Sequence, residues 1–328
     1  MSEQKPKGSI VYFCIILLLV LVMIFSGLQI LESTVFHTGQ ESGKPSTSKT
    51  IVRDGVEYFP RQDITVVMVL GIDQLGEVQE SGSYNNSGLA DVISLLIFDE
   101  TNQNCRILQL NRDTMMKVRV LGIGGKYAGD RFEQLALSHS YGSGLEDSCE
   151  NTKQTVSRFL YGLQIDYYIS MNMDAIRVMT DAVGGVKVNV QDDFSAVDPT
   201  IQMGEMVLNG EQAIHFVRTR KDVADQMNVT RMQRHREFMN GLLVALQNKM
   251  NSEDTFALTT YDAVAPYIVS DCSGNVISTL AERYGDYPLV EIVSPTGDNV
   301  KGEQYMEFYV DEQALDALIL RLFYAPKK

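Results

Sequence analysis

Hydrophobic positions along the chain fall into three regimes. From Ile10 to Leu31 no residue is charged and almost all are apolar, a run long enough to cross a bilayer as one helix. Lys5 and Lys7 precede it and Glu32 follows it, so the bias of basic residues predicts a short cytoplasmic tail over 1–9 and everything after Leu31 outside. Residues 32–62 follow as Ser, Thr, Gly and Lys with Pro45 and no apolar period, the composition of an extracytoplasmic linker. A globular domain is expected over 63–328.

Inside that domain the apolar period alternates between short continuous runs and helical spacing. Asp63 to Asp73 is a short continuous apolar run ending in a turn-forming Gly and an acid, and Asp91 to Phe98 and Cys105 to Leu110 repeat that pattern, that of strands buried on both faces. The polar stretch 99–104 between the last two suits a hairpin, which makes them antiparallel neighbours. Asp147 and Glu150 have the spacing of a capping box for a helix to Tyr161. A strand is expected over Tyr167–Met171, a helix capped by Asp174 and ended by Gly184-Gly185, and a strand over Val186–Val190. After Asn209 one helical turn should feed an extended segment through Arg220, and Val229 to about Met250 reads as a long helix. A helix over Asn275–Tyr284, strands over Leu289–Val293 and Gln304–Tyr309, and a helix opened by Asp311 complete the domain. Strands and helices so interleaved imply an α/β fold, a mixed sheet covered on both faces by helices.

Composition narrows the chemistry. With 328 residues and 45% hydrophobic content the chain can bury a substantial core. Its formal net charge of −14 argues against a general nucleic-acid binder, which needs broad phosphate neutralisation. Cys14 lies in the apolar run, and Cys105, Cys149 and Cys272 lie beyond it without a paired spacing; buried free thiols are the default, with room for one disulfide.

Against the acidic background one segment is basic: Arg218, Arg220 and Lys221, then Arg231, Arg234, His235 and Arg236. On an extended segment Arg218 and Arg220 share a face, and on a helix Arg231, Arg234 and His235 share a stripe. Guanidiniums gathered this way repel one another unless an anion lies between them, and phosphate is the commonest. A solvated helix face neutralised by Asp222, Asp225 and Glu237 is the plainer alternative. Arg112 and Asp113 follow a buried strand directly, where open α/β sheets place ligands. Asp73 ends its own strand, and Asp91 reaches the same edge if its strand runs antiparallel. Carboxylates beside a polyphosphate imply a divalent cation, and Mg²⁺ suits one or two carboxylates plus substrate oxygens.

These residues occur in an order that resembles the LytR-CpsA-Psr family: the membrane anchor, Leu-Gly-Ile-Asp73, Ala-Asp91, Asn-Arg112-Asp113-Thr114, Gly184-Gly185, Asn-Gly-Glu-Gln-Ala213, Arg218-Thr-Arg220-Lys221 and Arg231-Met-Gln-Arg234. The resemblance spans about Ile64 to Ala245. It implies a three-layer α-β-α domain that holds a polyprenyl pyrophosphate, lipid tail in an apolar tunnel and diphosphate among arginines with Mg²⁺. It further implies a phosphotransferase that moves an anionic glycopolymer, such as teichoic acid or capsular polysaccharide, onto peptidoglycan; a non-catalytic sensor or escort of the same lipid is the alternative. Carried over, Arg112, Arg218, Arg220, Arg231 and Arg234 bind the pyrophosphate, Asp73 and Asp91 hold the metal, and Arg112 with Asp91 and Asp113 forms the catalytic set, either acid serving as base. The chain departs from the family where Gln74-Leu75 and Leu89 replace arginines and His235 replaces a glutamine.

Overall fold

The computed structural model describes residues 50–327 apart from 85, 87, 220–222, 224–227, 254–255, 274–275, 277–278, 281–282, 286 and 304. The apolar span expected over 10–31 lies outside them; among the described residues no helix is long and apolar enough to cross a membrane. In chain order the strands are β1 (Ile51–Arg53), β2 (Val56–Pro60), β3 (Ile64–Ile72), β4 (Ala90–Asp99), β5 (Asn104–Leu110), β6 (Met115–Leu121), β7 (Tyr127–Gln134), β8 (Tyr167–Asn172), β9 (Val186–Val190), β10 (Gly204–Leu208), β11 (Ile268–Ser270), β12 (Leu289–Val293), β13 (Gly297–Lys301), β14 (Met306–Val310) and β15 (Tyr324–Pro326). The helices used below are α1 (Leu137–Ser140), α2 (Glu146–Phe159), α3 (Met173–Ala182), α4 (Gly210–Arg218), α5 (Asn228–Ser252), α6 (Phe256–Val264) and α7 (Glu312–Phe323).

A six-stranded mixed sheet in the order β11-β8-β3-β4-β5-β12 forms the centre. β3 and β5 each run antiparallel to β4, while β8 is parallel to β3 and β12 parallel to β5. The period-2 alternation of strands sends Met68, Leu70, Ile93, Leu95 and Leu108 into a core shared with α2 and α7. Val67, Val69, Leu96 and Ile107 face the other way, where they pack with Cys272, Leu280 and Tyr284. Val69, Leu96 and Ile107 also share a cavity with α3 and α5, which with α4, β9 and β10 enclose a core of their own around Phe194, Phe216 and Phe238. Burial on both faces explains why these strands read as unbroken apolar runs.

Several expectations shift. Residues 51–60, read as linker, form the hairpin β1–β2, and β15 adds to β2 from the far end of the chain. The hairpin β6–β7, with a register shift beside its glycine-rich turn, had no strand signal. α2 starts at Glu146 without a side-chain cap; Asp147 lies inside it and instead accepts hydrogen bonds from Ser143 N and Oγ. Asn172, not Asp174, caps α3 by accepting from Ala175 N. Asp174 turns back to accept from Gly76 N at 2.6 Å.

The largest shift is at α4, which continues to Arg218 where extended chain was expected. Ile214, Phe216 and Val217 favour strands by propensity. Their neighbours decide otherwise: Asn209 and Gln212 make a reciprocal capping box, and Ala213, Phe216 and Val217 bury one stripe in the satellite core. The shared face proposed for Arg218 and Arg220 therefore does not form from an extended segment; Arg218 is the last helical residue, and Arg220 lies outside the described residues.

Candidate functional site

Alternating strand direction brings four chain segments to one edge of the sheet. β3 and β8 end there at Ile72 and Asn172, β5 ends at Leu110, and β4 begins at Ala90. The β3–β4 register shifts at that edge: Gly71 faces Val92 and Ile72 faces Ala90, so Asp91 is the extra residue of a bulge. Bulges re-aim a side chain. Asp91 is thereby freed from strict alternation at the point where the acids and arginines meet.

The turn after β5 is built by Asn111. Its Oδ1 accepts from Asp113 N at 3.0 Å, and its carbonyl accepts from Thr114 Oγ1 at 2.6 Å, an Asx-type turn that fixes the two residues between. Ala136 N donates to Arg112 O at 3.0 Å and Ala90 N donates to Ala136 O at 3.1 Å, so one short segment ties Arg112 to the start of β4. The Arg112 guanidinium pairs with Asp91 and its Nε lies 3.3 Å from Asp113 Oδ1, with side chains 9%, 4% and 3% exposed respectively. Gln134, at the end of β7, donates to Asp113 Oδ1 at 2.9 Å and to Met306 O at 2.8 Å. Asp113 is thus held from two sides. Gln134 carried no signal in the sequence, because only the β6–β7 return brings it back to the edge.

Asp73 lies one residue past β3 and meets Arg218 at the end of α4, Nε to Oδ1 2.6 Å. This pair is the accessible one, at 45% exposure for the arginine and 26% for the acid. Arg234 is elsewhere in role: 6% exposed, it donates from Nε to Phe216 O at 3.0 Å, from Nη1 to Asp192 at 2.8 Å and from Nη2 to Thr219 O, and it lies over the Phe194 ring at 5.6 Å. His235 Nε2 donates to Val217 O at 2.8 Å. The last carbonyls of a helix lack intrahelical donors, and here α5 supplies them, so Arg234 and His235 cap α4 and aim Arg218. The expectation that Arg234 belongs to the phosphate-binding group is met by a buried clamp in its place. Arg231 opens α5, and its side chain lies outside the described residues.

Of the residues singled out by the sequence, the structure unites Asp73, Asp91, Arg112, Asp113 and Arg218 at one edge. Each arginine there carries a carboxylate, where bare guanidiniums around an anion were expected. Repulsion between like charges gives the reason: at a partly buried edge each cation is matched locally. An anion could reach these guanidiniums only by displacing a carboxylate from them.

Next to the edge, on the face toward α3 and α5, opens a cavity of about 1240 Å³, its mouth included. Val69, Val92, Leu96, Ile107, Ile176, Met179, Phe238 and Met239 make its wall almost wholly apolar. Gly71 also lines it, and a Cβ there would stand 3.0 Å from Val92 Cβ. The donors available for a cation are the two carboxylates Asp73 and Asp91, on adjacent strands joined by Asp73 N to Leu89 O at 3.0 Å. Among the described residues no group of three His, Cys, Asp or Glu side chains forms a protein-only cage. Two hard oxygen donors fit Mg²⁺ completed by substrate oxygens and water. Cys105, Cys149 and Cys272 are buried free thiols; burial pushes Cys149 and Cys272 up to about 12, which keeps them protonated and inert.

The sequence pattern of the LytR_cpsA_psr family matches residues 30–322, and the chain belongs to that family. It is 29% identical over 213 residues to a protein of Bacillus mycoides named polyisoprenyl-teichoic acid–peptidoglycan teichoic acid transferase TagU, covering 64% of this chain and 62% of that one. A protein of the same name from Halalkalibacterium halodurans is 26% identical over 275 residues, covering 83% of each chain. The chain thus spans about three fifths of the length of the first of these relatives. Among solved structures, a Streptococcus agalactiae protein superposes with a TM-score of 0.63 at 22% identity, over 79% of this chain and 86% of that one. TagT bound to LIIa-WTA gives 0.60 at 23%, over 87% and 98%. At such identities the likeness is one of fold.

Proposed function

We propose, from membership of this family and the edge just described, that the chain is an extracytoplasmic phosphotransferase anchored in the cell membrane through residues 10–31. It moves an anionic glycopolymer from a polyprenyl-pyrophosphate carrier onto peptidoglycan. The observation that carries this reading is adjacency: Arg112 between Asp91 and Asp113, and Arg218 on Asp73, border a cavity with an apolar wall. A ligand that suits both has a charged head and a long hydrocarbon tail. The TagU relatives bear the name of such a transferase, and the same activity is inferred for this chain.

Arg112 and Arg218 would exchange their carboxylates for phosphate oxygens, each charge-assisted contact contributing about 1.5–3 kcal/mol. The acceptor hydroxyl oxygen forms a bond to the glycan-linked phosphorus, the bond from that phosphorus to the bridging oxygen breaks, and polyprenyl phosphate leaves. Asp91 or Asp113, released from Arg112, takes the hydroxyl proton. Gln134 holds Asp113 in place from Oδ1, and the caps from Arg234 and His235 hold the helix end that carries Arg218. Mg²⁺ bound by Asp73 and Asp91 would neutralise charge that develops on the departing phosphate.

The test is turnover by the full-length protein in detergent, supplied with a lipid-pyrophosphate-linked glycan, peptidoglycan fragments and Mg²⁺. Release of polyprenyl phosphate with glycan on the acceptor is the expected result. Tight binding without release would instead make the protein a sensor or escort of the carrier.

A further inference from the structure

One guanidinium at the cavity differs from all those above. Arg236 projects from α5 at the cavity mouth, and its Nε and Nη2 both donate to Gln109 Oε1, at 3.3 and 3.0 Å. Gln109 is 8% exposed and sits opposite Ser94 on the sheet face that also carries Ile107, Leu96 and Val69. A neutral amide oxygen is a weak match for the two-donor edge of an arginine, which fits a carboxylate or phosphate fork. Arg112, Arg218 and Arg234 each carry a carboxylate; among the described residues Arg236 pairs with none. It can take up an anion without first giving up a counter-charge.

Its place points to which anion. Gln109 is the last residue but one of β5, and Arg112 follows two residues after the strand ends, so Arg236 stands between the charged edge and the apolar wall. Val92 and Gly71, which line the same cavity, lie one residue after Asp91 and two residues before Asp73. We infer that Arg236 is a further substrate-binding residue, held ready by Gln109, that grips the phosphate of the carrier next to its first prenyl unit. It thereby supplies a positive charge in a chain where Gln74-Leu75 and Leu89 stand in place of the arginines that the family resemblance leads one to expect. This rests on the lipid-pyrophosphate reading above.

The probes are geranylgeranyl pyrophosphate, geranylgeraniol and inorganic pyrophosphate, with affinity measured by calorimetry on the full-length protein and on Arg236→Gln, Arg236→Lys and Arg112→Ala, each assayed well below its own cooperative melting transition. Arg236→Gln should weaken geranylgeranyl pyrophosphate roughly tenfold, Arg236→Lys less, and neither should change geranylgeraniol. Inorganic pyrophosphate should weaken less than the prenyl form if Arg236 reads the junction of phosphate and tail. If Arg112→Ala weakens the diphosphate while Arg236→Gln does not, or if Arg236→Gln weakens geranylgeraniol equally, Arg236 is merely wall and the inference is wrong. If inorganic pyrophosphate loses as much as the prenyl form, the assignment to the prenyl junction is wrong. If neither Arg112→Ala nor Arg236→Gln alters diphosphate binding, the underlying lipid-pyrophosphate reading fails and this inference with it.

Discussion

Arg218 Nε stands 2.6 Å from Asp73 Oδ1, and through this contact the end of α4 is tied to the end of β3. The two residues are 145 positions apart in the chain, yet the pair is open to solvent and so contributes little to stability, about 0–1 kcal/mol.

Arg218→Ala should therefore leave the melting temperature nearly unchanged and reduce glycopolymer transfer at least about tenfold, the loss of one charge-assisted phosphate contact. Lysine at this position should restore only part, because it lacks the planar fork. Transfer rates and melting curves measured on the same preparations check both halves; full activity in Arg218→Ala would remove this residue from the site.

Arg112 behaves differently because its partners are buried. Arg112→Ala leaves Asp91 and Asp113, at 4% and 3% side-chain exposure, without their guanidinium, which should cost about 3–5 kcal/mol of stability as well as activity. Urea denaturation of the single variant against Arg112→Ala/Asp91→Asn should show the double variant recovering part of the loss. Equal stability of wild type and Arg112→Ala would mean the pair is not desolvated as described.

Arg234 is expected to be a structural clamp. Arg234→Met should destabilise the protein by about 3 kcal/mol or more, since Asp192 and the carbonyls of Phe216 and Thr219 lose their donors together. At temperatures well below the lowered transition it should still bind inorganic pyrophosphate within a few-fold of wild type. A large loss of binding with an unchanged melting temperature would return Arg234 to the phosphate-binding group.

His139 gives a pH signature. It is buried behind the loop that leads to Asp91, with Nδ1 donating to Gly88 O at 3.0 Å, and burial pushes its pKa down to about 4. The unfolded chain takes up a proton near pH 6.5 and the folded one only near 4, so stability contributed by the neutral ring is present above 6.5 and is lost as pH falls through that window. The full loss is about 3 kcal/mol. His139→Gln should flatten the stability profile across that window; an unaltered slope would assign it to other groups.

Much of the central sheet was legible because strands buried on both faces leave continuous apolar runs, and β3, β4 and β5 fall within a residue or two of where those runs lie. That Asp91 shares an edge with Arg112 and Asp113 followed from the hairpin loop at 99–104, whereas its meeting with Asp73 depends on β3 running antiparallel to β4. What escaped were features set by distant partners. α4 is helical through Arg218 because Phe216 and Val217 meet a core formed by β9, β10 and α5, which no local window contains. Gln134 joins Asp113 only through the return of an irregular hairpin. Arg234 looked like a ligand for phosphate because charge alone is visible in a sequence, whereas the carbonyls that consume it are not. A glutamine between leucines in an otherwise apolar stretch, Gln109, was the signal that could have pointed to Arg236.

The pairing of β15 with β2 joins residues 324–326 to residues 58–60. During synthesis the hairpin that emerges ahead of the central sheet must therefore wait, one edge unpaired, until nearly the whole domain has left the ribosome. Completion of the domain is in this way registered at its N-terminal margin, so that a truncated product exposes a sticky strand there.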